Sequence, residues 1–370
     1  MSWRMPPETA PQERVWTAFP PRAPYAGEEP GTLEEARRAW TRVALAIARF
    51  EPVTMLAEPA DLDAARRLLS GDAGGAGASG AGAAPRRVSL LPAPLDDAWM
   101  RDIGPTFVLD EDGRLGSVEW VFNGWGRQEW AAWEKDARVG RRVGDLAGAV
   151  SVRSPLVNEG GGIHVDGLGT VLVTETVQLD PHRNPGLDRA AVEAELARTI
   201  GAEHVIWLPR GLTRDAERYG TRGHVDLLAT IPSPGRLLVH VQPDPAHPDH
   251  AVTRDILDVL RASTDARGNP WEITELPAPK TLSDEEGWVG YSYINHLVVN
   301  GAVIACGFED PNDEQARRIL ADAYPGREVV MLDARTVFAG GGGIHCITQQ
   351  QPRTPGGEEP GGHASDARRA

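Results

Sequence analysis

The chain lacks the features that would place a protein outside a reducing, aqueous compartment. Only Cys306 and Cys346 occur among its 370 residues, so no disulfide framework is indicated. No apolar run approaches the ~20 residues of a membrane-spanning helix, and residues 1–8 contain no apolar signal core. We therefore expect a cytoplasmic protein that has no membrane partner.

Positive charge is also scarce, because 38 Lys and Arg residues face 53 Asp and Glu residues and the formal net charge is −15. This balance argues against a nucleic-acid partner and favours a cationic substrate, although ordinary solubility explains an acidic surface equally well. The sequence has no Cys-x-x-Cys or His-Glu-x-x-His pattern, and no glycine run leads into Lys-Ser/Thr. We therefore predict no catalytic metal and no cofactor.

A run of glycines is present near the end of the chain, at residues 340–343, and it leads directly into Ile-His-Cys. Glycine lets the backbone approach a ligand closely and adopt positive φ at little steric cost. A cysteine beside such a loop, here Cys346, is a candidate nucleophile. The alternative is a buried structural cysteine next to a flexible turn.

The first quarter of the chain has a readable pattern of strands and helices. We expect a helix over residues 33–50, with Thr32 as its cap and Glu35 completing a capping box. Residues 71–84 are almost wholly Gly, Ala and Ser, which predicts a flexible surface insertion rather than a domain boundary. Further predicted elements are strands at 15–19, 52–57 and 88–92 and a short helix at 61–69.

A unit of strand, turn, strand, helix and strand recurs along the rest of the chain. The segment Gly-Gly-Gly-Ile-His occurs twice, at 160–164 and at 341–345, and Asn-Gly at 300–301 is a strong hairpin signal. The leading polar residues of the five units are Asp102, His164, His224, Asn295 and Cys346. The clearest helices are at 188–200, 251–262 and 313–323, each followed by a strand at 204–208, 272–276 and 328–332.

Five such units fit a closed ring better than an open sheet. The fifth unit lacks a second strand of its own, and residues 15–19 are positioned to supply it, so that the two ends of the chain would meet. A ring of this kind gathers its leading residues at one mouth, where we expect the site to lie. The alternative is that short strands and glycine turns resemble one another by chance.

Six segments carry a resemblance to a known family. In order they are residues 99–107, 122–126, 158–167, 207–212, 223–226 and 342–352. Together they resemble the agmatine deiminase family of the guanidine-modifying superfamily. The resemblance implies an α/β fold, a five-bladed pseudo-symmetric propeller of the pentein type, with residues 1–352 as a single catalytic domain. It also implies a cysteine hydrolase that acts on a guanidinium group.

The resemblance implies a role for each of five side chains. Asp102 and Asp226 match the carboxylates that bind the guanidinium, and paired charge-assisted hydrogen bonds suit a planar cation. Cys346 matches the nucleophile that forms a covalent amidino-cysteine intermediate, and His224 matches the general acid and base. Glu159 is expected beside the histidine as an orienting carboxylate. The alternative for Asp102 is a turn-capping aspartate. The alternative for His224 is a structural histidine, and the alternative for Glu159 is a solvated loop acid.

Strand alternation adds an expectation about direction. In His-Val-Asp, it places His224 and Asp226 on one face of a strand, and near the end of the chain it turns His345 away from the face of Cys346. We therefore expect His345, like His164 in the other glycine repeat, to be structural. A bound cation and a nearby histidine are expected to favour the Cys346 thiolate.

Four further residues are candidates for substrate contact. Backbone groups of Gly341 and Gly342 are expected to line the site. Trp99 and Trp125 are expected to wall the alkyl chain of the substrate, and an ordinary aromatic core is the alternative.

The segment just before Gly-His-Val-Asp departs from the family pattern. Gly220 stands where an acidic residue is expected, and Arg222 adds a positive charge. Either Asp215 or Glu217 compensates by receiving the distal amine of the substrate, or the substrate is another small guanidine whose carboxylate meets Arg222 or Arg218.

The sequence therefore predicts hydrolysis of agmatine to N-carbamoylputrescine and ammonia, a reaction of polyamine biosynthesis. The alternatives are a deiminase or amidinotransferase acting on another small guanidine, such as an arginine derivative, and a non-catalytic binder of cationic ligands. A homo-oligomer is possible, and residues 353–370 are expected to form a disordered tail.

Overall fold

Residues 2–25, 27–29, 31–71 and 88–355 are described by the computed structural model. The predicted insertion at 71–84 lies outside these residues except for Gly71, and most of the predicted tail, beyond residue 355, also lies outside them. No helix in the described part of the chain is long and apolar enough to cross a membrane.

The elements follow the predicted alternation of strands and helices. The strands are β1 Trp3–Arg4, β2 Gln12–Ala18, β3 Val53–Ala57, β4 Val88–Pro92, β5 Thr106–Asp110, β6 Leu115–Val121, β7 Val150–Val157, β8 Ile163–Val165, β9 Thr170–Thr174, β10 His204–Leu208, β11 Ala229–Ser233, β12 Arg236–Val241, β13 Glu272–Pro277, β14 Ser283–Asp284, β15 Gly287–Trp288, β16 Leu297–Val299, β17 Ala302–Gly307, β18 Glu328–Asp333 and β19 Thr348–Pro352. The helices are α1 Thr32–Ile47, α2 Leu62–Ser70, α3 Met100–Ile103, α4 Gly124–Arg127, α5 Val139–Leu146, α6 Glu175–Gln178, α7 Arg189–Ile200, α8 Asp249–Ala262, α9 Asp313–Ala323 and α10 Arg335–Ala339.

The strands of the described chain form five sheets of three or four strands and one two-stranded ribbon, β14–β15. Each of the five sheets repeats one pattern, in which an antiparallel pair is followed by a parallel neighbour. In the unit that begins with the glycines at 160–162, for example, β8 pairs antiparallel with β9, and α7 then leads to the parallel strand β10. The predicted order of strand, strand, helix and strand is therefore confirmed.

The two ends of the described chain meet in one sheet. Strand β19 pairs antiparallel with β2, with Thr348 opposite Thr17. Side chains reinforce this pairing, because Trp16 Nε1 donates to Gln351 Oε1 at 2.9 Å and Thr17 Oγ1 donates to the Ile347 carbonyl at 2.8 Å. The prediction that residues 15–19 supply the missing strand of the fifth unit is confirmed.

The predicted capping box at the first long helix is wrong. The residue before α1 is Gly31, whose left-handed φ of 109° suits glycine, and no side chain caps the helix. The Thr32 hydroxyl instead donates to the Glu29 carbonyl at 2.9 Å. The helix also ends at Ile47 rather than at the predicted Phe50, and the residues that follow it form a turn.

Close packing of α5 on β6 requires a small residue at one point of their contact. A β-carbon on Gly144 would lie 2.4 Å from Ser117 Oγ and 3.0 Å from its Cβ. At Gly140 in the same helix, the nearest atom to an added β-carbon would be 3.5 Å away, which is an ordinary contact. Gly144 therefore has no room for a side chain, whereas Gly140 in the same helix has room for a methyl group.

We expect Gly144→Ala to lower the free energy of unfolding by about 1–2 kcal/mol, because overpacking outweighs the gain in helix propensity. Gly140→Ala should leave it unchanged or raise it slightly. Urea unfolding of both variants measures the difference. Equal effects at the two positions would contradict this account of the α5–β6 contact.

Candidate active site

Cys346 lies in the turn that precedes β19, buried among side chains from other sheets. Its Sγ is 3.1 Å from Asn295 Nδ2 and 3.5 Å from Asp226 Oδ2. Asn295 also fixes the turn, since the backbone N–H groups of His345 and Cys346 donate to its Oδ1 at 3.1 and 3.4 Å. Asn295 entered the sequence analysis only as a repeat marker. A polar residue in an otherwise apolar stretch was the signal for its role.

The glycine run lets the thiol sit against its neighbours. A β-carbon on Gly342 would lie 2.9 Å from Cys346 Sγ and 3.0 Å from the Trp99 ring. Gly341 has a φ of 116°, and a β-carbon there would lie 2.6 Å from the Tyr219 carbonyl oxygen. Of the predicted residues, Gly342 and Trp99 thus lie at the thiol, whereas Gly341 lies against the backbone of Tyr219.

The His-Val-Asp segment is not a strand, so the alternation argument for it is wrong. Residues Val225–Leu227 form a 3₁₀ turn, and β11 begins only at Ala229. The cause is Asp215, whose buried Oδ2 accepts the backbone N–H of Gly223 at 2.6 Å and of His224 at 3.1 Å. These bonds hold the preceding loop in a shape that a strand cannot continue.

The three predicted side chains nevertheless converge on one small space beside Gly161. A β-carbon on Gly161 would lie 2.5 Å from His224 Nδ1, 3.0 Å from Asp226 Oδ2 and 3.1 Å from Asp102 Oδ1. Asp102 lies on α3, where Trp125 Nε1 donates to its Oδ2 at 2.9 Å. The structure therefore gives Trp125 a contact that the sequence did not suggest, an orienting hydrogen bond to Asp102.

Two buried polar atoms in this space have no hydrogen-bond partner among the described residues: Asp226 Oδ1 and His224 Nδ1. The nearest charge to the histidine nitrogen is Asp102 Oδ1 at 3.7 Å. A buried acceptor left unpaired is costly, so native proteins rarely keep one without a purpose. An unpaired carboxylate oxygen matches the N–H donors of a guanidinium.

Glu159 lies beside the histidine, as the resemblance implied, with Oε2 3.2 Å from His224 Nε2. Arg183 Nε donates to both Glu159 oxygens at 3.0 and 3.1 Å, and Arg183 Nη1 donates to Asp180 Oδ2 at 3.0 Å. No sequence pattern marks Arg183 or Asp180, because both lie in an irregular loop. These ion pairs keep Glu159 charged in the protein interior.

Charge arrangement sets the protonation of the histidine. Burial by itself lowers the pKa of His224, but Asp102 and Glu159 outweigh burial and raise it to about 9. Burial opposes ionisation of Glu159, yet Arg183 lowers the pKa of that carboxyl below its usual value. Burial raises the pKa of Asp102 to about 6. His224 is therefore an imidazolium at neutral pH.

The same surroundings favour the neutral form of the Cys346 thiol. Burial, together with the carboxylates of Asp226 and Asp102, raises the pKa of Cys346 well above its ordinary value. The expectation that a neighbouring histidine favours the thiolate is not met in this state, because the charged side chain in contact with Sγ is Asp226. Formation of the Cys346 thiolate therefore needs a positive charge that the neighbouring side chains do not supply.

The second repeat histidine does not turn away from the site. Residues 344–347 form a turn rather than a strand, so alternation does not apply to them. His345 Nδ1 is 2.8 Å from Asp226 Oδ2, and its Nε2 is 2.7 Å from Glu8 Oε1. His164 instead accepts the Ile231 N–H at 2.9 Å, a contact of the kind expected for a structural residue.

A model of the Porphyromonas-type peptidyl-arginine deiminase family matches residues 4–352. The chain belongs to this family. An agmatine deiminase of Pseudomonas fluorescens is 37% identical over 95% of this chain and 95% of its own length. A Streptomyces coelicolor protein is 56% identical over 96% of this chain and all of its own length. The resemblance to the agmatine deiminase family within the guanidine-modifying superfamily is thereby confirmed.

Solved structures of the family share the α/β fold. The agmatine deiminase of Enterococcus faecalis has a TM-score of 0.85 and 32% identity, covering 95% of this chain and 96% of its own. A Campylobacter jejuni agmatine deiminase has a TM-score of 0.80 at 23% identity, covering 95% of this chain and 97% of its own, and supports the fold alone.

The electrostatics of this family member predict how its thiol reacts in the absence of substrate. Since Asp226 disfavours the thiolate, Asp226→Asn should lower the pKa of Cys346 and speed its alkylation by iodoacetamide at pH 8 by about 10-fold. Peptide mass spectrometry over a pH series gives the rate at Cys346. As a control, Asp145→Asn removes one exposed carboxylate and should leave that rate unchanged. Slower or equal alkylation of Asp226→Asn would contradict the charge arrangement.

Proposed function

We propose that the protein is an agmatine deiminase, a hydrolase of C–N bonds in linear amidines that converts agmatine and water into N-carbamoylputrescine and ammonia. The supporting observation is the convergence of Asp102, His224 and Asp226 beside Gly161, with the Cys346 thiol in contact with Asp226. The agmatine deiminases among its relatives, similar over nearly the whole chain, support the same substrate.

Binding of the substrate uses the two carboxylates. The unpaired Asp226 Oδ1 accepts one guanidinium N–H, and Asp102, already oriented by Trp125, accepts another. The positive charge of the guanidinium then offsets the two carboxylates that raise the pKa of Cys346. Binding and activation of the nucleophile are therefore one event.

The first chemical step forms a C–S bond between Cys346 and the central guanidinium carbon and breaks one terminal C–N bond. The thiol proton passes to solvent when the cation binds, and His224 then donates its own proton to the departing nitrogen, which leaves as ammonia while His224 becomes neutral. The amidino-cysteine adduct keeps the positive charge. Water then attacks the same carbon, one of its protons passes to the neutral His224 and the other to the departing sulfur, and the C–S bond breaks to regenerate the thiol and release the ureido product.

The distal amine of agmatine meets neither of the two nearest candidates from the sequence. Asp215 already accepts hydrogen bonds from Thr221, Gly223 and His224, and Glu217 is exposed to solvent. Arg222, the candidate partner for a substrate carboxylate, is instead bound through Nη1 to Asp180 Oδ2 at 2.9 Å. We place the distal end in an open pocket beside Gly341. Its lining includes the carboxylate of Asp284 and the guanidinium groups of Arg214 and Arg218.

Closure of the five sheets into a ring is also part of this proposal. The five sheets form a closed five-bladed propeller of the pentein type, with residues 1–352 as one catalytic domain. The pairing of β19 with β2 supports closure, because it joins the last described strand to the first long one.

Incubation of the purified protein with agmatine, with ammonia and the ureido product both measured, tests the proposal. We expect turnover by the wild type, and Cys346→Ser should lower it by at least ~10³-fold because it removes the nucleophile. The matched control is Cys306→Ser, since Cys306 is equally buried and its thiol donates only to the Asn295 carbonyl. Cys306→Ser should retain most of the activity.

Three outcomes would contradict this proposal in different ways. Turnover of an arginine derivative without turnover of agmatine would overturn the substrate and leave the chemistry standing. Full activity of Cys346→Ser would overturn the covalent mechanism. A transferred amidino group without ammonia and ureido product in stoichiometric yield would indicate an amidinotransferase.

The raised pKa of His224 predicts the alkaline limit of activity. The general acid must be protonated, so kcat/KM should hold between the Asp102 pKa of about 6 and pH 9 and fall as the pH rises through the His224 pKa of about 9. Glu159→Gln removes a charge that raises this pKa, so the alkaline limit should move down by about one pH unit. Exposed Glu272 offers the control substitution, Glu272→Gln, which should not move it. An upward or absent shift in Glu159→Gln would contradict the assignment.

A further inference from the structure

Glu8 reaches the site from the beginning of the chain. It lies in the turn between β1 and β2, only 7% of its surface is exposed, and its Oε1 is 2.7 Å from His345 Nε2. Nothing in the sequence patterns marked it, because its partners lie more than 90 residues away along the chain. A carboxylate this deeply buried calls for a physical reason.

The ring of His345 lies between two carboxylates. Its Nε2 faces Glu8 Oε1 at 2.7 Å and its Nδ1 faces Asp226 Oδ2 at 2.8 Å. Carboxylates accept hydrogen bonds, and only an imidazolium donates from both ring nitrogens at once. Burial and Arg101 lower the pKa of His345, yet Glu8 and Asp226 raise it overall. The geometry and the charges both indicate a protonated ring.

This bridge decides which oxygen of Asp226 remains available. His345 holds Oδ2, which also contacts the Cys346 thiol at 3.5 Å, and Oδ1 is left without a partner among the described residues. Rotation of the Asp226 carboxylate would break its bond to the imidazolium. The unpaired oxygen is therefore fixed in direction by a ring that is itself held by Glu8.

Anchoring of the N-terminal segment does not account for the charge on Glu8. Strand β1 already pairs with β5, and the Met5 N–H donates to the Ile200 carbonyl at 3.0 Å. The Gln12 side chain donates to the Glu8 and Val298 carbonyls, both at 2.9 Å. Arg101 Nη1, 3.8 Å from Glu8 Oε1, helps to keep the carboxylate ionised.

We propose that Glu8 is a positioning residue of the active site, which acts through His345 to hold Asp226 with one oxygen directed at a bound guanidinium or amidinium. The inference rests on the proposed function only for the identity of the natural substrate. It predicts that loss of the Glu8 charge weakens capture of a planar cation without removing the thiol or unfolding the chain.

Alkylation of Cys346 by two probes tests this inference without requiring turnover. A 2-haloacetamidine carries the planar cation that Asp226 recognises, whereas iodoacetamide is neutral and reports only on the thiol. The ratio of the two rates at Cys346, measured by peptide mass spectrometry, isolates recognition of the cation. Glu8→Gln should lower this ratio by about 10-fold, the usual scale for one misaligned charge-assisted hydrogen bond.

Matched variants separate positioning from folding. Glu13→Gln changes a carboxylate a few residues away whose ion-pair partner is Arg14, and it should leave the ratio unchanged. His345→Gln should lower the ratio, and the double variant with Glu8→Gln should lower it no further, because both residues act through one link. If Glu8→Gln is unfolded at the assay temperature, Glu8→Asp, which keeps the charge but withdraws it, should also lower the ratio.

A ratio for Glu8→Gln or Glu8→Asp equal to that of the wild type would overturn the inference, and so would full additivity of Glu8→Gln and His345→Gln. Failure of the proposed function is a separate observation. The wild type would then discriminate between the two probes, and respond to Glu8→Gln, while releasing no ammonia from agmatine.

Discussion

The proposed site depends on one unpaired carboxylate oxygen, Oδ1 of Asp226, buried in the protein interior. Leaving such an acceptor without a partner is costly, and the protein tolerates the cost because His345 saturates the other oxygen and lowers the pKa of Asp226. Glu8 and Arg101 stand behind that histidine. The proposed mechanism therefore attributes selectivity for guanidinium to this buried carboxylate, because a planar cation satisfies its unpaired oxygen better than a neutral ligand does.

The same buried charges set the protonation states of the Cys346 thiol and of His224, the proposed general acid. Carboxylates that raise the pKa of His224 to about 9 also raise the pKa of Cys346, so the resting pair is an imidazolium and a thiol. Ionisation of the thiol then needs the charge of the substrate. In this account the nucleophile is protected until a cation lies between Asp102 and Asp226, and the proton for the leaving group is already in place.

Local patterns predicted the repeating elements, because apolar periodicity and turn residues act over a few positions. They predicted the bounds of α7, α8 and α9 to within a few residues, and they predicted the pairing of β2 with β19. They failed at His-Val-Asp, where the buried carboxylate of Asp215 shapes the loop from outside the segment. Asn295, Arg183 and Glu8 escaped notice for a related reason, since each acts on partners distant in sequence. The resemblance predicted Asp102, Glu159, His224, Asp226 and Cys346 as site residues, and they lie together in the structure, while their roles in the reaction remain part of the proposal.

Trapping the intermediate tests the central claim most directly. The protein is mixed with agmatine, quenched in acid during turnover, digested and analysed by mass spectrometry at the peptide that contains Cys346. The account predicts a covalent adduct on Cys346 whose added mass equals agmatine less one ammonia, absent from the peptide that contains Cys306. Steady release of ammonia and ureido product, with an unmodified Cys346 at every quench time and full activity in Cys346→Ser, would contradict it.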